Sequence, residues 1–291
     1  MKDLLAYWGL RAGVGLVGLL PEKTVRGLGG AGGRVWHSFD RDRRQMAFRH
    51  MERVLGNGAD VEEASTHVME SYGRYFAEAL WARADRVPEL LRKTEVEGLE
   101  MVEAARDEGG GMIYALPHLG NWEVAAPVAV NIGVPVVAVA EDLPNKRITE
   151  WFTSMRGEFG IEIVLATGRI EVMRKLEKAI SDNKAVALLS DRDIKGRGVE
   201  VEFFGEKTTI PPGPATLAVK TGAPLFPVGT YFDGHGHRVV VKPSIPIPEA
   251  ETRSEQVRLM SQALAIEMES LIMRAPDQWH LVQPNWPSDL E

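Results

Sequence analysis

Apolar runs and helix-period patterns alternate along the chain from about residue 96 to the carboxyl end. Short apolar runs, typical of buried strands, occur at 111–116, 134–140, 161–166, 184–190, 199–204, 224–231 and 238–242. Patterns with helical spacing lie between them at 97–108, 121–131, 146–159, 169–182 and 213–221, and a last one covers 251–274. This alternation predicts an α/β fold: a largely parallel central sheet of about seven strands, flanked by helices on both faces.

The first 95 residues lack this alternation and have helical patterns instead. Residues 40–93 show two amphipathic patterns separated by a turn at Gly56-Asn57-Gly58. Upstream of them, residues 4–20 are apolar except for Arg11, and the stretch stops at Pro21. We therefore predict an N-terminal helical elaboration that associates with a membrane, residues 1–95, and an α/β core, residues 96–291, within one structural domain.

The apolar stretch from Leu4 to Leu20 is too short and too interrupted to span a membrane. A spanning helix needs about 20 apolar residues, and an Arg at its centre costs roughly 2.5–3.5 kcal/mol. A helix lying in the membrane interface fits better, with apolar side chains in the headgroup boundary and cations that meet anionic lipid. The apolar group is Leu4, Leu5, Tyr7 and Trp8, and the cations are Arg11, Lys23, Arg26 and Arg34. The alternative is a helix packed on the protein's own core.

Charge and composition narrow the possible partners. The net charge of −7 argues against a nucleic-acid binder, which needs a basic surface, but the first 60 residues carry +4 and the remainder −11. The basic segment favours a peripheral position, which we place at the cytoplasmic face of the cell membrane. The absence of cysteine excludes disulfides, thiolate metal sites and a cysteine nucleophile. His235-Gly236-His237 is typical of a hairpin turn, and we expect no metal.

Two glycine patterns match the dinucleotide-binding fingerprint, at Gly13-x-Gly15-x-x-Gly18 and Gly27-x-Gly29-x-x-Gly32. That fingerprint binds a nucleotide only between a buried strand and a helix. Arg11 interrupts the apolar run before the first match, and Thr24-Val25-Arg26 is too short and polar to be a strand before the second. We interpret both matches as coincidental.

A histidine and a carboxylate lie in one predicted strand-to-helix turn. His118 follows the apolar run at 111–116, and Glu123 lies five residues further on. Ligands of open α/β sheets bind at the carboxyl ends of strands, so a site is expected at this turn. We predict that Glu123 reaches back to one imidazole nitrogen and leaves the other as a general base, with Asn121 capping the next helix. The alternative is that His118 only satisfies backbone groups of the turn.

The segment His118-Leu119-Gly120-Asn121-Trp122-Glu123 resembles the H-x4-D/E motif of the lysophospholipid acyltransferase superfamily, in the form found in its lipid A acyltransferase branch. Further blocks resemble the same branch: SMRGEFGIEIV, which contains Arg156, and Asp191-Arg192-Asp193. The flanks resemble a narrower group, the phosphatidylinositol mannoside acyltransferases, in SYGRYFAEAL at 71–80 and in DQWHLVQPNWPSDL near the carboxyl end. The resemblance covers nearly the whole chain.

This resemblance implies transfer of an acyl group from a thioester, usually acyl-CoA, to a hydroxyl, which for the mannoside enzymes is on a mannose of a glycolipid. His118 would be the general base and Glu123 its orienting partner, while the amides of Gly120 and Asn121 would stabilise the oxyanion. Direct transfer is expected, because the chain has neither a cysteine nor a G-x-S-x-G nucleophile elbow. Acyl-CoA would be a co-substrate, and no other cofactor is implied.

Further charged residues complete the candidate site. Arg156 and Arg192 would bind phosphates of the donor or the acceptor, since a planar guanidinium pairs bidentately with phosphate. Asp191 is a catalytic candidate as a second carboxylate supporting the histidine, with Asp193 and Glu200 as competitors for that role. Two other interpretations stay open: the same chemistry on a lipid A or lysophospholipid acceptor, and a lipid-binding protein without catalysis.

Overall fold

The computed structural model describes residues 2–56, 60–194 and 196–290. Asn57 and Gly58 of the predicted turn lie outside the described residues. The helices are α1 (Lys2–Val17), α2 (Glu22–Phe39), α3 (Arg41–Leu55), α4 (Val61–Trp81), α5 (Val87–Arg92), α6 (Leu99–Glu108), α7 (Ala125–Asn131), α8 (Lys146–Glu158), α9 (Arg169–Ser181), α10 (Gly213–Thr221) and α11 (Arg253–Ile272). The strands are β1 (Thr94–Glu97), β2 (Met112–Leu116), β3 (Val136–Ala140), β4 (Ile161–Leu165), β5 (Ala185–Leu189), β6 (Val199–Phe203), β7 (Glu206–Ile210), β8 (Leu225–Asp233) and β9 (Gly236–Val241).

Seven of these strands form the central sheet, in the order β1-β9-β8-β2-β5-β3-β4. Neighbouring strands are parallel, except that β8 and β9 form an antiparallel hairpin. The hairpin was expected with its turn at 235–237, but the turn residues are Gly234 and His235, and Gly236 and His237 already belong to β9. The predicted α/β fold with a largely parallel sheet is confirmed. The chain passes from β2 through β3 and β4 before it returns to β5, and β5 then pairs directly with β2.

The membership of the sheet differs from the prediction at two strands. The run at 199–204 forms β6, which pairs with β7 in a separate two-stranded sheet. The seventh place in the central sheet belongs to β1, which pairs with β9 at one edge. The apolar-run criterion missed both β1 and β7, because their sequences, TEVE and EKTTI, are short and largely polar.

Side chains of the central strands alternate between two apolar layers, as the pleat of a strand requires. Along β2, Ile113 and Ala115 pack with α3, α4 and α9–α11, whereas Tyr114 and Leu116 pack with α6–α8. Helices therefore cover both faces of the sheet, as predicted. The layer under α6–α8 contains the cavity described below.

The N-terminal elaboration is helical from α1 to α4, and its glycines serve helix packing. Both fingerprint-like patterns begin inside helices, α1 and α2, and neither follows a strand. A Cβ atom on Gly73 of α4 would clash with the Gly29 carbonyl oxygen and lie 2.8 Å from the Cα of Gly33 on α2. Glycine at these positions thus allows the backbones of α2 and α4 to approach closely.

Parts of the predicted membrane surface are exposed and one part is not. Leu5, Trp8 and Leu19 are 67%, 61% and 82% exposed. Arg26, predicted to meet lipid, instead has a side chain only 10% exposed, with its guanidinium paired to Glu22 and Glu78. Across the described ranges, no helix combines the length and the hydrophobicity needed to cross a membrane.

Candidate active site

His118 and Asp191 meet at the carboxyl edge of the sheet. The register of the parallel pair β2 and β5 places Leu116 opposite Leu189. Each candidate lies two residues beyond the end of its strand, so the pairing carries both to the same point. The imidazole Nδ1 lies 2.6 Å from Asp191 Oδ1, and the His118 backbone N–H donates to Asp191 Oδ2 at 2.9 Å.

Asp191 is a fully buried carboxylate held by a third donor. The indole Nε1–H of Trp279 donates to its Oδ2 at 2.8 Å. Burial acts to raise the pKa of Asp191, but the attraction of His118 and the hydrogen bonds from His118 and Trp279 outweigh it and lower the pKa below its ordinary value. The group is therefore an anion suited to stabilise a protonated imidazole.

The geometry assigns the two imidazole nitrogens different tasks. Because an ionised carboxylate only accepts hydrogen bonds, Nδ1 carries the proton towards Asp191 and Nε2 is left as the acceptor. The His118 side chain is 27% exposed and lines the main cavity. The imidazole is thus accessible from the cavity.

Glu123 does not make the contact with His118 that the sequence predicted. Its two carboxylate oxygens accept from the Arg156 guanidinium of α8, at 3.0 Å from Nε and 2.5 Å from Nη2. Residues 122–124 form a 3₁₀ turn, and the Trp122 ring packs edge-on to the imidazole at 5.2 Å. Asp191, not Glu123, is therefore the carboxylate bonded to His118. The Glu123–Arg156 pair instead ties the turn to α8, which also means that Arg156 is already engaged by a carboxylate.

Gly120 and Asn121 shape the turn, but in other ways than expected. Gly120 has a φ of +56°, and a Cβ there would clash with the Thr230 carbonyl oxygen, so glycine is needed. Its N–H donates to the Gln278 carbonyl at 2.9 Å and is thereby engaged. Asn121 makes no side-chain cap bond: its side-chain amide donates to Glu78 at 3.0 Å. Asn121 thus stands at the N-cap position of the 122–124 turn, as predicted, but its side chain does not cap it.

The remaining candidates fall in different places. Arg192 lines the cavity beside His118. Asp193 accepts from the Gly198 N–H and the Thr209 hydroxyl, which braces the loop between β5 and β6. Glu200 lies on the exposed face of β6, where it pairs with Lys207. Neither of these two carboxylates is bonded to the imidazole. Of the three candidates for a carboxylate that supports His118, Asp191 is the one that contacts it.

An apolar cavity of about 590 Å³ begins at His118 and runs beneath α6, α7 and α8. Its volume lies within the range of about 300–1,000 Å³ that is usual for ligand sites. Leu189 and Ile194, which are 37% and 59% exposed, line it near Arg192 and mark its opening. The cavity is therefore an apolar chamber with a histidine and an arginine among its lining residues.

Small residues create the floor of this cavity. Tyr114, Ala187, Ala138 and Ile163 are successive cross-strand neighbours on β2, β5, β3 and β4, and all four line the cavity. Strands lie about 4.8 Å apart, so two adjacent alanines between larger side chains leave a trough about 10 Å wide. Such a trough fits a flexible alkyl chain lying against the sheet.

Two residues that position the site were not identified by sequence reasoning. Trp279, which lies in the carboxyl-terminal block DQWHLVQPNWPSDL, is fully buried and donates to Asp191. Tyr75 of α4 stacks on Trp122 with ring centroids 4.0 Å apart. Burial and the neighbouring Glu123 carboxylate raise the pKa of Tyr75 well above its ordinary value, so its hydroxyl stays protonated. The aromatic clusters at 71–76 and 279–286 were the available signal.

A metal site was not expected, and the described ranges hold no group of three or more His, Asp or Glu side chains close enough to bind one ion. His237 of the β8–β9 hairpin is buried and bonds Glu78 at 2.8 Å. Its neighbour His235 contributes its backbone carbonyl to Arg26. The hairpin histidines thus have structural partners.

The chain is an α/β protein of the bacterial lipid A biosynthesis acyltransferase family, whose pattern it matches over residues 2–288. Similar characterised proteins narrow this further. The chain is 35% identical over 285 residues to the phosphatidylinositol mannoside acyltransferase of Mycolicibacterium smegmatis, covering 97% of this chain and 91% of that one.

A second mannoside enzyme and a more distant relative are also acyltransferases. The phosphatidylinositol mannoside acyltransferase of Mycobacterium tuberculosis H37Rv is 34% identical over 288 residues, covering 97% of this chain and 89% of that one. The lipid A biosynthesis acyltransferase of Haemophilus influenzae is 23% identical over 191 residues, covering 65% and 58%. The chain is thus an acyltransferase of this family, with greater similarity to the mannoside enzymes than to that lipid A enzyme.

Proposed function

We propose that this protein transfers a fatty acyl group from acyl-CoA to a hydroxyl of a phosphatidylinositol mannoside, on a mannose ring, at a membrane surface. The observation that carries the proposal is the position of His118: its Nδ1 is bound to buried Asp191, and its ring lines an apolar cavity of about 590 Å³. A general base beside an alkyl-sized chamber suits acyl transfer. The mannoside acceptor rests on the similarity to the mycobacterial enzymes.

The proposed reaction is a direct transfer. Nε2 of His118 takes the proton of the acceptor hydroxyl as its oxygen attacks the thioester carbonyl. The tetrahedral intermediate collapses, the carbon–sulfur bond breaks, and the imidazolium returns its proton to the CoA thiolate. Asp191 stabilises the imidazolium throughout. Of the two amides expected to bind the oxyanion, the N–H of Gly120 is engaged by Gln278, which leaves the backbone N–H of Asn121 as the candidate, although Asn121 is not among the residues that line the cavity.

Two arginines have different proposed tasks. Arg192 lines the cavity beside the opening and is the candidate for a phosphate of the donor or the acceptor. Arg156 is bonded by both Glu123 oxygens, so we assign it to holding the 122–124 turn against α8. Glu123 is then a positioning residue for the turn rather than a partner of the imidazole.

We further propose that α1 and α2 dock on the cytoplasmic face of the cell membrane as a peripheral surface. Apolar side chains project from both helices and from the turn between them, which contains Leu19: Leu5, Trp8, Leu19, Leu28 and Phe39 are between 59% and 82% exposed. Arg11 and Lys23 are exposed near them and suit anionic headgroups. This surface would bring a membrane-held acceptor to a donor that arrives from solution.

The test is CoA release from palmitoyl-CoA, with and without mannosylated phosphatidylinositol, for the wild type and His118→Gln. His67→Gln, on the exposed side of α4, is the matched control. We expect acceptor-dependent release that falls by at least about 10³-fold in His118→Gln, as for loss of a catalytic base, and is unchanged in His67→Gln. Full activity in His118→Gln would remove the base. Release that depends only on lipid A precursors or lysophospholipid would replace the acceptor.

A further inference from the structure

Glu78 on α4 is a buried carboxylate at the centre of an ion cluster outside the His118–Asp191 pair. Its side chain is 6% exposed. Arg74 Nε donates to its Oε1 at 2.8 Å, and Arg26 Nε of α2 lies 2.7 Å from the same oxygen. Its Oε2 bonds His237 at 2.8 Å and accepts from the Asn121 amide at 3.0 Å. Four elements of the fold therefore meet at one carboxylate.

The charge of Glu78 is secured by these partners. Burial acts to raise its pKa, but His237, Arg74 and Arg26 more than compensate and lower the pKa to about 2. The carboxylate is thus ionised under all ordinary conditions. Its bond to Asn121 is the one contact of the cluster that leads to the 117–123 turn.

The same face of α4 touches that turn twice more. Tyr75, one helical turn before Glu78, stacks on Trp122 and neighbours Glu123. The first half of the turn has other contacts: the His118 carbonyl accepts from the His280 N–H, Gly120 is bonded to Gln278, and the Leu119 carbonyl accepts from the Thr230 hydroxyl. The stretch from Asn121 to Glu123 is held by α4, by Arg156, and by the packing of the Trp122 ring against His118 and His280.

α4 also packs closely against α2. Glycines at 29, 33 and 73 bring the two helix backbones into contact, and Arg26 reaches across to Glu78. Arg26 also pairs with Glu22 at 2.5 Å, and Glu22 pairs with Lys93 just before β1. A continuous set of contacts therefore runs from the N-terminal helices to the turn beside His118.

We propose that Glu78 is a positioning residue for acyl transfer: its contact with Asn121 holds the 121–123 turn in register and couples it to the N-terminal helices through Arg26. Only the expected effect on kcat rests on the proposed function; the expected effect on hydrogen exchange does not. A displacement of about 1 Å at a reacting centre can cost about 10²-fold in rate, so loosening this contact acts on kcat. Glu78 itself does not line the cavity, and the 121–123 turn contributes only Trp122 and Glu123 to a large lining, so donor KM should change less than kcat.

The experiment compares Glu78→Gln with Glu70→Gln. Glu70 is the matched control, because it also lies on α4 and pairs with an α2 arginine, Arg34, at 3.1 Å. Two readouts are taken: kcat and donor KM for palmitoyl-CoA, and deuterium uptake of the peptide that covers 117–125. A merely structural role would change the melting temperature without raising the uptake of this peptide over that of others.

We expect Glu78→Gln to raise exchange at 117–125 and to lower kcat by about ten- to a hundredfold, with donor KM within about twofold. Glu70→Gln should change neither. Adding Asn121→Asp to Glu78→Gln re-forms the contact with reversed polarity, because the Gln amide then donates to a carboxylate. The double variant should recover kcat relative to Glu78→Gln.

Two results would overturn the proposal: wild-type exchange and kcat in Glu78→Gln, or equal losses in Glu78→Gln and Glu70→Gln. If Glu78→Gln does not fold, Asn121→Ser is the deciding variant, because it removes only the hydrogen bond between Asn121 and Glu78. It should also raise exchange at 117–125 and lower kcat. A wild type that releases no CoA with any acyl thioester would contradict the proposed function, while the exchange measurements would still decide the positioning role.

Discussion

Replacing Asp191 with Asn should abolish the base by reversing the tautomer of His118. Asp191 Oδ2 accepts two N–H donors, from the His118 backbone and from Trp279 at 2.8 Å. An Asn side chain must therefore keep its carbonyl oxygen at the Oδ2 position. Its NH₂ then replaces Oδ1, 2.6 Å from the imidazole Nδ1. Nδ1 becomes an acceptor, so the single ring proton moves to Nε2, where a base is needed.

The expected loss in kcat is about 10³- to 10⁴-fold, which corresponds to roughly 4–5.5 kcal/mol in the activation barrier. The upper value is the effect of the same substitution in a serine-protease triad, where an Asp also orients a catalytic imidazole. The fold should tolerate the change, because the Asn side chain has nearly the shape of Asp and satisfies the same three neighbours.

The assay is release of CoA followed with a thiol reagent, which is clean here because the protein has no cysteine. Asp289→Asn is the matched control. Asp289 is a second buried Asp bonded to a His ring, with Oδ2 3.1 Å from His50 Nε2, and it also accepts two backbone N–H groups. It lies outside the cavity lining, so we expect kcat within about threefold of the wild type, whatever the loss in melting temperature.

A kcat for Asp191→Asn within about tenfold of the wild type would refute the tautomer argument, since a misprotonated base cannot support that rate. Equal losses in Asp191→Asn and Asp289→Asn would instead assign both effects to general destabilisation. A normal rate that shifts only in its pH optimum would show that the imidazole works without a fixed tautomer.

Two further predictions concern the cavity floor and the pH dependence of stability. Ala138→Phe should fill the trough, and each methylene of the acyl chain that is excluded from it loses about 0.8 kcal/mol of burial. The ratio of kcat/KM for palmitoyl-CoA to kcat/KM for octanoyl-CoA should therefore fall at least about tenfold. An unchanged ratio would place the acyl chain elsewhere. His280 is buried, and burial lowers its pKa from 6.5 to about 3. Below pH 6.5 the unfolded chain therefore binds a proton at His280 that the folded state excludes, and the free energy of unfolding falls. Urea titrations between pH 6.5 and 5 should therefore give a free energy of unfolding that falls more steeply in the wild type than in His280→Phe, by about 1.4 kcal/mol per pH unit, and parallel curves would contradict this.

Much of the fold could be predicted from local patterns. The runs that became β2, β4 and β5 were placed to within one residue at each end, because a buried parallel strand is apolar on both faces and is bounded by polar or glycine residues. The apolar runs did not predict β1 and β7, because each strand is short and largely polar and is stabilised by its neighbours rather than by its own composition.

The candidate site was predicted in its members but not in its pairings. His118, Asp191, Glu123 and Arg156 were all named, yet the expected His118–Glu123 contact is absent from this structure, where the pairs are His118–Asp191 and Glu123–Arg156. Proximity in sequence favoured the wrong partner. Nearness in space follows from strand order instead, and β3 and β4 separate β2 from β5 along the chain.

The amino-acid sequence by itself determined the class of fold, the turn that carries His118 and the family to which the chain belongs, because these depend on residue types within short windows. Only the tertiary structure decided which carboxylate serves the imidazole, how Trp279 and Glu78 brace the site, and where the alanines of β3 and β5 form a trough. These features join residues 43 to 88 positions apart. Contacts over such distances depend on the order and register of the strands, which no local pattern records.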